Sequence, residues 1–269
     1  MKACQLPLHS HDDFFLVSYP LSRLNNLNKR SMAATHYKVW SVGNPVGVGA
    51  TASRFMGVAS IAKCDLPGQP YIVANEFIVA SLARAIRLPI PPSSLVTHES
   101  KSWHVSQNFN LAGENLPPAN PNAIVTAFPK ISWGIVLFDA WVANPDRHQS
   151  NLAFDQAGNT LQIFDHSHAL FAQTGRAALE TQSDKLGIGG HCLAPHLTSL
   201  NGMQEWADRI GAIPEFYIKE TLADATELNI PQDVADWTVS YLLDRRGKLM
   251  DLVKAHKTVF CADVQALIA

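Results

Sequence analysis

The chain carries little charge for its size. Of its 269 residues only 16% are Asp, Glu, Lys or Arg, against 47% apolar. Apolar surface on that scale builds a core and excludes disorder except at the ends. The net charge of −2 lacks the basic excess of a protein that tracks nucleic-acid phosphates, so no extended nucleic-acid face is expected. A pocket for a single nucleotide needs only local charge and stays open. Cysteine is scarce, and Cys4, Cys64, Cys192 and Cys261 lie too far apart for a CxxC pair. Cysteines scattered in this way suit a reduced, cytoplasmic protein and argue against a zinc site. "HCLAPH" (191–196) has metal-binding residue types but no second ligand pair. No run approaches the roughly 20 apolar residues of a membrane span. "MKACQLPLHSHDDFF" has no sustained apolar stretch, so no signal peptide is expected. There is no internal repeat and no low-complexity tract.

The length suits one large domain or two lobes sharing a cleft. Residues 1–34 read as an irregular segment, and patterning becomes regular at "THYKVW", which makes Met32 a candidate natural start. "HYKVWSV", "GNPVGVGATASRF" and "FMGVASIAK" read as strand, Gly-rich turn and strand. "ANEFIVASLARAIRL" (74–88) predicts a helix, with Asn75 as N-cap and Glu76 in the first turn. "SLVTHES" and "SWHVSQNF" predict a hairpin, and "PPANPN" a break between two parts. "ISWGIVLFDAWVAN" (131–144) is apolar on nearly all sides, as a buried helix is. "NLAFDQAGNTLQIFDHS" predicts a second hairpin, with strands at 151–155 and 160–165. The remaining long segments have helical periodicity. The fold class expected is α+β: a β-rich N-terminal part with one main helix, then a mostly helical part carrying one polar hairpin.

That polar hairpin concentrates the chemistry. Asp146 and Asn151 stand in a loop between a buried helix and a strand, and Asp165 closes the partner strand. A short hairpin brings its two ends together, so Asn151 and Asp165 are expected side by side with Asp146 in front. Mg²⁺ takes oxygen ligands, commonly one or two carboxylates with phosphates and water. Asn151 and Asp165 supply such oxygens, while Asp146 can orient an acceptor hydroxyl and take its proton. Asp and Asn are also ordinary turn residues. Asp165, flanked by Ile163 and Phe164, is harder to read that way, because a partly buried carboxylate needs a partner. Lys63 ends an apolar strand after a Gly-rich turn, where Gly43, Gly47 and Gly49 would let backbone N–H groups approach phosphates. Thr51 and Ser53 follow directly and can hydrogen-bond a phosphate.

"NPDRHQSN" followed by "IFDHS" resembles the HipA-like kinases, which share a bilobal architecture with eukaryotic protein kinases and phosphoinositide kinases. "GVGATASRF", "SIAK", "NEFIVASLARAIRLPIPP" and "DWTVSYLLDRRGKLMDLV", with its Trp and an Arg-rich turn, extend the likeness over most of 37–255. The resemblance implies a bilobal protein-kinase-like fold, with an N-lobe at 35–120 and a C-lobe at 121–269, holding ATP and Mg²⁺ between them. It implies Lys63 as the strand lysine on the phosphates and Glu76 as its helix partner. Asp146 becomes the catalytic aspartate, and Asn151 and Asp165 the magnesium ligands. Ser53 becomes a candidate for regulatory autophosphorylation, and His148 a group that steadies the transferred phosphate. Arg147 either pairs with a carboxylate or phosphate or braces the loop through carbonyls. "DKLGIGGHCLAPHL" (184–197) follows at the distance of an activation or substrate-binding segment; its glycines suggest a mobile loop, with His191 and His196 as polar loop residues.

Asn144-Pro145 stand where protein kinases have His-Arg, and His166-Ser167 where they have Phe-Gly, so activation-loop switching of that kind is not implied. The separate N-terminal subdomain of HipA toxins is expected to be missing. The activity expected is phosphoryl transfer to a hydroxyl, most readily that of a protein Ser or Thr, with an antitoxin or regulatory protein as a further partner and no membrane. A small-molecule or lipid kinase is the alternative, lipid being weaker without a basic or amphipathic face. A catalytically inactive binding module or toxin–antitoxin component is disfavoured, because every metal and base position is filled.

Overall fold

The segments read as strands before residue 108 form strands, with one division that patterning does not reveal. The computed structural model describes residues 39–47, 53–108 and 118–268. The irregular segment 1–34, Met32, Cys4, Gly49 and Thr51 lie outside the described residues. β1 (Val39–Pro45) pairs antiparallel with β2 (Arg54–Val58) as a two-stranded ribbon. The chain leaves that ribbon at Ala59 and enters β3 (Ser60–Lys63), which belongs to a different sheet. The single strand expected from "FMGVASIAK" is therefore two. Register shifts between Val39 and Ser41 and between Val42 and Pro45 interrupt the ribbon's regular pairing, as bulges do, and add local twist.

The second sheet contains β3, β4 (Ser93–His98) and β5 (Lys101–Gln107), in the order β3-β5-β4. The expected β4–β5 hairpin closes through Glu99 and Ser100, both at positive φ (49° and 60°), the backbone signature of a two-residue turn that matches strand twist. Lys63 pairs with His104 across β3 and β5, which sets the lysine at the sheet's end.

α1 (Ile72–Ala85) begins two residues earlier than its apolar pattern suggests. Asn75 is not its cap. Asp65 supplies that function from outside the helix, accepting a hydrogen bond from the Val73 N–H at 3.0 Å. Asn75 is fully buried and links elements instead: its amide donates to the Ser167 carbonyl at 2.8 Å and accepts from the Phe171 N–H at 3.2 Å.

"PPANPN" both breaks the chain and starts α2 (Pro121–Ala127). The Asn120 side chain accepts from the N–H groups of Asn122 and Ala123, and Pro121 occupies the first turn. α3 (Pro129–Trp141) is buried from Ser132 to Trp141, as its apolar sequence requires. Each large side chain it buries, such as Trp133, Leu137 or Phe138, contributes about 1.5–3 kcal/mol of burial free energy. A 3-10 turn (Gln149–Asn151) leads into β6 (Leu152–Asp155), which pairs with β7 (Thr160–Ile163) in the register Leu152 opposite Ile163. The helices α4 (Arg176–Glu180), α5 (Met203–Gly211), α6 (Glu215–Thr226), α7 (Gln232–Ala255) and α8 (Ala262–Leu267) complete the part. α3 packs against α5 and α7. Gly134 permits the first contact, since a Cβ there would lie 2.4 Å from the Trp206 ring. The Arg-rich stretch of "DRRGK" is not a turn. It lies within α7, where Arg245 donates to the carbonyls of Ala140, Gln182, Ser183, Lys185 and Leu186.

The fold is α+β: a β-rich N-terminal part with one main helix, followed by a mostly helical part with one polar hairpin. Among the described residues no single helix is long and apolar enough to cross a membrane. α2 and α3 reach that length only together, across a bend of 118°.

Candidate active site

Ala143, at φ 49°, turns the chain out of α3 into the polar loop. Asn144 then anchors that loop, donating its buried amide to Asp139 Oδ1 at 2.8 Å and accepting from the Asp146 N–H at 3.3 Å. Arg147 points inward and is fully buried. Its Nε and Nη2 donate to Asp139 Oδ2 and Oδ1 at 2.8 and 3.0 Å. Its Nη1 donates to the carbonyls of Asn151 (3.1 Å) and Phe164 (2.7 Å). Arg147 thus both pairs with a carboxylate and braces carbonyls. Because those carbonyls lie on opposite sides of the β6–β7 hairpin, one guanidinium fixes Asn151 beside the residue preceding Asp165.

Asn151 donates its amide N–H to the Asp146 carbonyl at 2.8 Å, which leaves its amide oxygen without a partner among the described residues. Asp165 sits at φ 60°, a left-handed conformation that Asp tolerates better than most residues. Its Oδ1 lies 2.7 Å from Lys63 Nζ and accepts from Ser167 Oγ at 2.8 Å. Lys63 also donates to Glu76 Oε1 at 2.5 Å, and the same oxygen accepts from the His166 N–H at 3.0 Å. Glu76 is therefore not a first-turn surface acid; it lies one turn further into α1, with its side chain only 4% exposed. The Asp165 side chain is 35% exposed, so of the two carboxylates on Lys63 it is the one open to a cation.

Electrostatics follow from this packing. Burial would lower the Lys63 pKa, but Glu76 and Asp165 outweigh it and hold the ammonium above its ordinary value. Burial would raise Glu76, yet His166 and then Lys63 hold its carboxyl well below the usual range. Burial likewise opposes ionisation of Asp165, and Lys63 reverses it, so this carboxylate is lowered. The cluster holds one cation and two anions near neutral pH, a net negative site suited to a divalent ion.

Asp146 stands apart, with its carboxylate part-exposed and its nearest ionisable neighbour His148, whose Nε2 lies 3.9 Å from Oδ2. His148 Nδ1 accepts from the Ser150 N–H at 3.2 Å and caps the 3-10 turn. It makes no hydrogen bond or ion pair with Lys63, Glu76 or Asp165. Ser53 is described at the base of the Gly-rich turn, where its carbonyl accepts from the Val46 N–H at 2.9 Å. Gly47, at φ 74°, belongs to that turn, but Gly43 lies in β1. A Cβ on Gly43 would meet Phe55 at 3.0 Å, so its smallness serves strand pairing.

Asp139 goes unread in the patterning, and His191 is read there only as a polar loop residue. Asp139 is a lone carboxylate inside an all-apolar helix, and that alone signals a buried partner. After Asn144 and Arg147, His191 is its third partner, with Nε2 3.1 Å from Asp139 Oδ2 while Nδ1 accepts from the Leu193 N–H. Cys192 N–H donates to the Arg147 carbonyl at 2.9 Å. The 184–197 segment is thus tied to the Asp146–Asn151 loop at 191–192 rather than detached from it, and His191 is a buried structural histidine.

A lysine shared by two carboxylates, an amide oxygen without a partner among the described residues and a separate part-exposed carboxylate are residue types that phosphoryl transfer uses. Residues 68–183 match the family model of the HipA-like kinases, so the resemblance carried by the motifs is shown over that segment. The match takes in Glu76, the loop from Asp146 to Asn151 and Asp165, and is narrower than 37–255, stopping short of Lys63. Among solved structures, the chain is similar to a proinflammatory kinase of Helicobacter pylori, CtkA. The TM-score is 0.49 and the identity 14%, over 85% of this chain and 94% of that one. It is also similar to HipA of Shewanella oneidensis MR-1, solved within a toxin–antitoxin system with HipB and operator DNA. There the TM-score is 0.41 and the identity 14%, over 87% of this chain and 69% of that one. No curated protein matches the chain in sequence. The family match and the site geometry together support a kinase.

Proposed function

We propose that this chain is an ATP- and Mg²⁺-dependent kinase that transfers the γ-phosphate to a hydroxyl of a protein Ser or Thr. The observation that carries the reading is the convergence of Lys63 on Glu76 and Asp165, from β3, α1 and the exit of β7, beside the Asn151–Asp146 loop. The nucleotide would lie between a β-rich lobe (35–120) and a helical lobe (121–269).

The donor set fits the metal. Asn151 offers an unpartnered amide oxygen, and Asp165 a part-exposed carboxylate held ionised by Lys63. These are the hard oxygen donors that Mg²⁺ prefers, and no soft ligand stands among them. Bound Mg²⁺ would neutralise charge on the phosphate oxygens. Lys63 would hold phosphate oxygens with its ammonium, and Glu76 would keep Lys63 extended toward the site. Arg147 keeps Asn151 and the approach to Asp165 in register. Asp146 would accept the proton of the acceptor hydroxyl at its carboxylate, with His148 beside it. Ser53, exposed near the Gly-rich turn, remains the candidate for autophosphorylation. Free Cys64, Cys192 and Cys261 suit a cytoplasmic setting.

Isothermal titration with ATP, in Mg²⁺ and in EDTA, tests the nucleotide site. Binding should require Mg²⁺ and weaken at least about tenfold in Asp165→Asn, a substitution that keeps the left-handed backbone accessible. Equal ATP affinity with and without Mg²⁺ would rule the reading out.

A further inference from the structure

Two donors meet on one oxygen of Asp165. Lys63 Nζ lies 2.7 Å from Oδ1, and Ser167 Oγ donates to the same atom at 2.8 Å. A carboxylate oxygen has two lone pairs, so Oδ1 is filled and Oδ2 is the oxygen left for a cation. Ser167 has no part in the roles above, and it stands where protein kinases have Gly, a residue without a hydroxyl. Its backbone is held from α1. The fully buried Asn75 amide donates to the Ser167 carbonyl at 2.8 Å and accepts from the Phe171 N–H at 3.2 Å. Glu76 Oε1 accepts from the N–H of His166, the residue before, at 3.0 Å. The Ala169 N–H closes the turn on the His166 carbonyl at 3.0 Å. Buried groups of α1 thus set the place of the hydroxyl.

Which oxygens stay free decides which cation fits. Mg²⁺ demands near-octahedral geometry, whereas Ca²⁺ accepts a larger, looser set of oxygens and readily grips a carboxylate by both of them. A carboxylate with one oxygen filled offers the single bond that suits Mg²⁺ and denies Ca²⁺ the second. Lys63 is not the lasting occupant of Oδ1, since its ammonium is the group assigned to the phosphates when nucleotide is bound. The Ser167 hydroxyl is uncharged and has no second task, so it stays on Oδ1 as Lys63 turns away. Hydrogen-bond partners behind a ligand orient it in this way at metal sites generally.

We propose that Ser167 is a positioning residue that holds Asp165 Oδ1 and thereby makes the site select Mg²⁺ over Ca²⁺. The inference rests on the kinase reading above. Binding of a non-hydrolysable ATP analogue to the full chain should be measured by titration calorimetry, once with Mg²⁺ and once with Ca²⁺, so that no turnover enters the readout. Wild type should bind the Mg²⁺ complex at least about tenfold more tightly than the Ca²⁺ complex. Ser167→Ala should bring that ratio below about threefold, chiefly by gaining affinity with Ca²⁺. Ser167→Gly, which removes the hydroxyl without leaving a methyl group, should do the same. Ser167→Thr, which keeps the hydroxyl, should restore the wild-type ratio. An equal loss with both cations in the Ala and Gly variants, the mark of a merely structural role, would overturn the proposal. Equal binding of the two complexes by wild type, or an unchanged ratio in Ser167→Ala or Ser167→Gly, would do so too. Each of these results leaves the kinase reading standing. Absence of Mg²⁺-dependent binding of the analogue to wild type would instead remove the kinase reading, and the selectivity with it.

Discussion

Asp139 and Arg147 form a fully buried pair with two parallel hydrogen bonds, at 2.8 and 3.0 Å, beneath the exposed carboxylate of Asp146. The exposed and buried acids of this region divide their work. Asp139 holds the loop from below, and Asp146 faces the solvent from above. Replacing Asp139 by Ala leaves the guanidinium charged and buried without its partner, the situation that typically costs about 3–5 kcal/mol. Urea unfolding should therefore show a loss of that order for Asp139→Ala. The double variant Asp139→Leu with Arg147→Met should recover a large part of it, since no buried charge is then left unpaired. A loss below about 1 kcal/mol in Asp139→Ala would contradict the bracing role.

His104 makes stability depend on pH. Burial lowers its pKa from 6.5 to about 4, although Glu76 acts in the opposite sense, and its Nε2 is buried without a partner. The folded protein thus keeps this ring neutral, whereas the unfolded chain protonates it near its ordinary value. As pH falls below about 6.5, the unfolded state binds the proton first and the native state loses stability, until the folded group also titrates near 4. At pH 5 the loss is about 2 kcal/mol relative to neutral pH. The lowered carboxylates Glu76 and Asp139 act in a separate window: their stabilisation is present above the unfolded carboxylate values and is lost as pH falls below about 4. Unfolding free energies of wild type and His104→Leu at pH 7.5 and pH 5 should show the drop in the first protein only. The same drop in both would exclude His104 as its source.

Much of this was legible in the order of residues, and the exceptions share a cause. Local patterning placed α3, the β6–β7 hairpin and the meeting of Asn151 with the end of β7, because hairpin geometry is set by near neighbours in sequence. It misplaced the cap of α1, which comes from Asp65 seven residues before the first helical residue, and it gave Asn75 a local role when its partners are Ser167 and Phe171. It split neither "FMGVASIAK" nor the roles of Gly43 and Gly47, since which strand pairs with which is a long-range matter. Glycines in 184–197 suggested mobility, whereas His191 and Cys192 anchor part of that stretch through contacts with residues more than 40 positions away. The roles proposed for Asp146, Asn151 and Asp165 follow from hairpin chemistry and the family resemblance, and those proposed for Lys63 and Glu76 from the resemblance; the structure adds the contacts of Lys63 with Glu76 and Asp165.

Asp146 is proposed to accept the proton during phosphoryl transfer, and Asp146→Asn tests that role. The side chain is part-exposed and makes no ion pair shorter than 3.9 Å, so the change removes basicity with little effect on folding. Transfer of labelled γ-phosphate to protein acceptors from a cell lysate should be compared between the two proteins, with Mg²⁺·ATP affinity measured on the same samples by titration calorimetry. Transfer should fall about 10²–10⁴-fold, the usual contribution of a general base, with ATP affinity within about twofold of wild type. Transfer by Asp146→Asn at the wild-type rate would contradict that role.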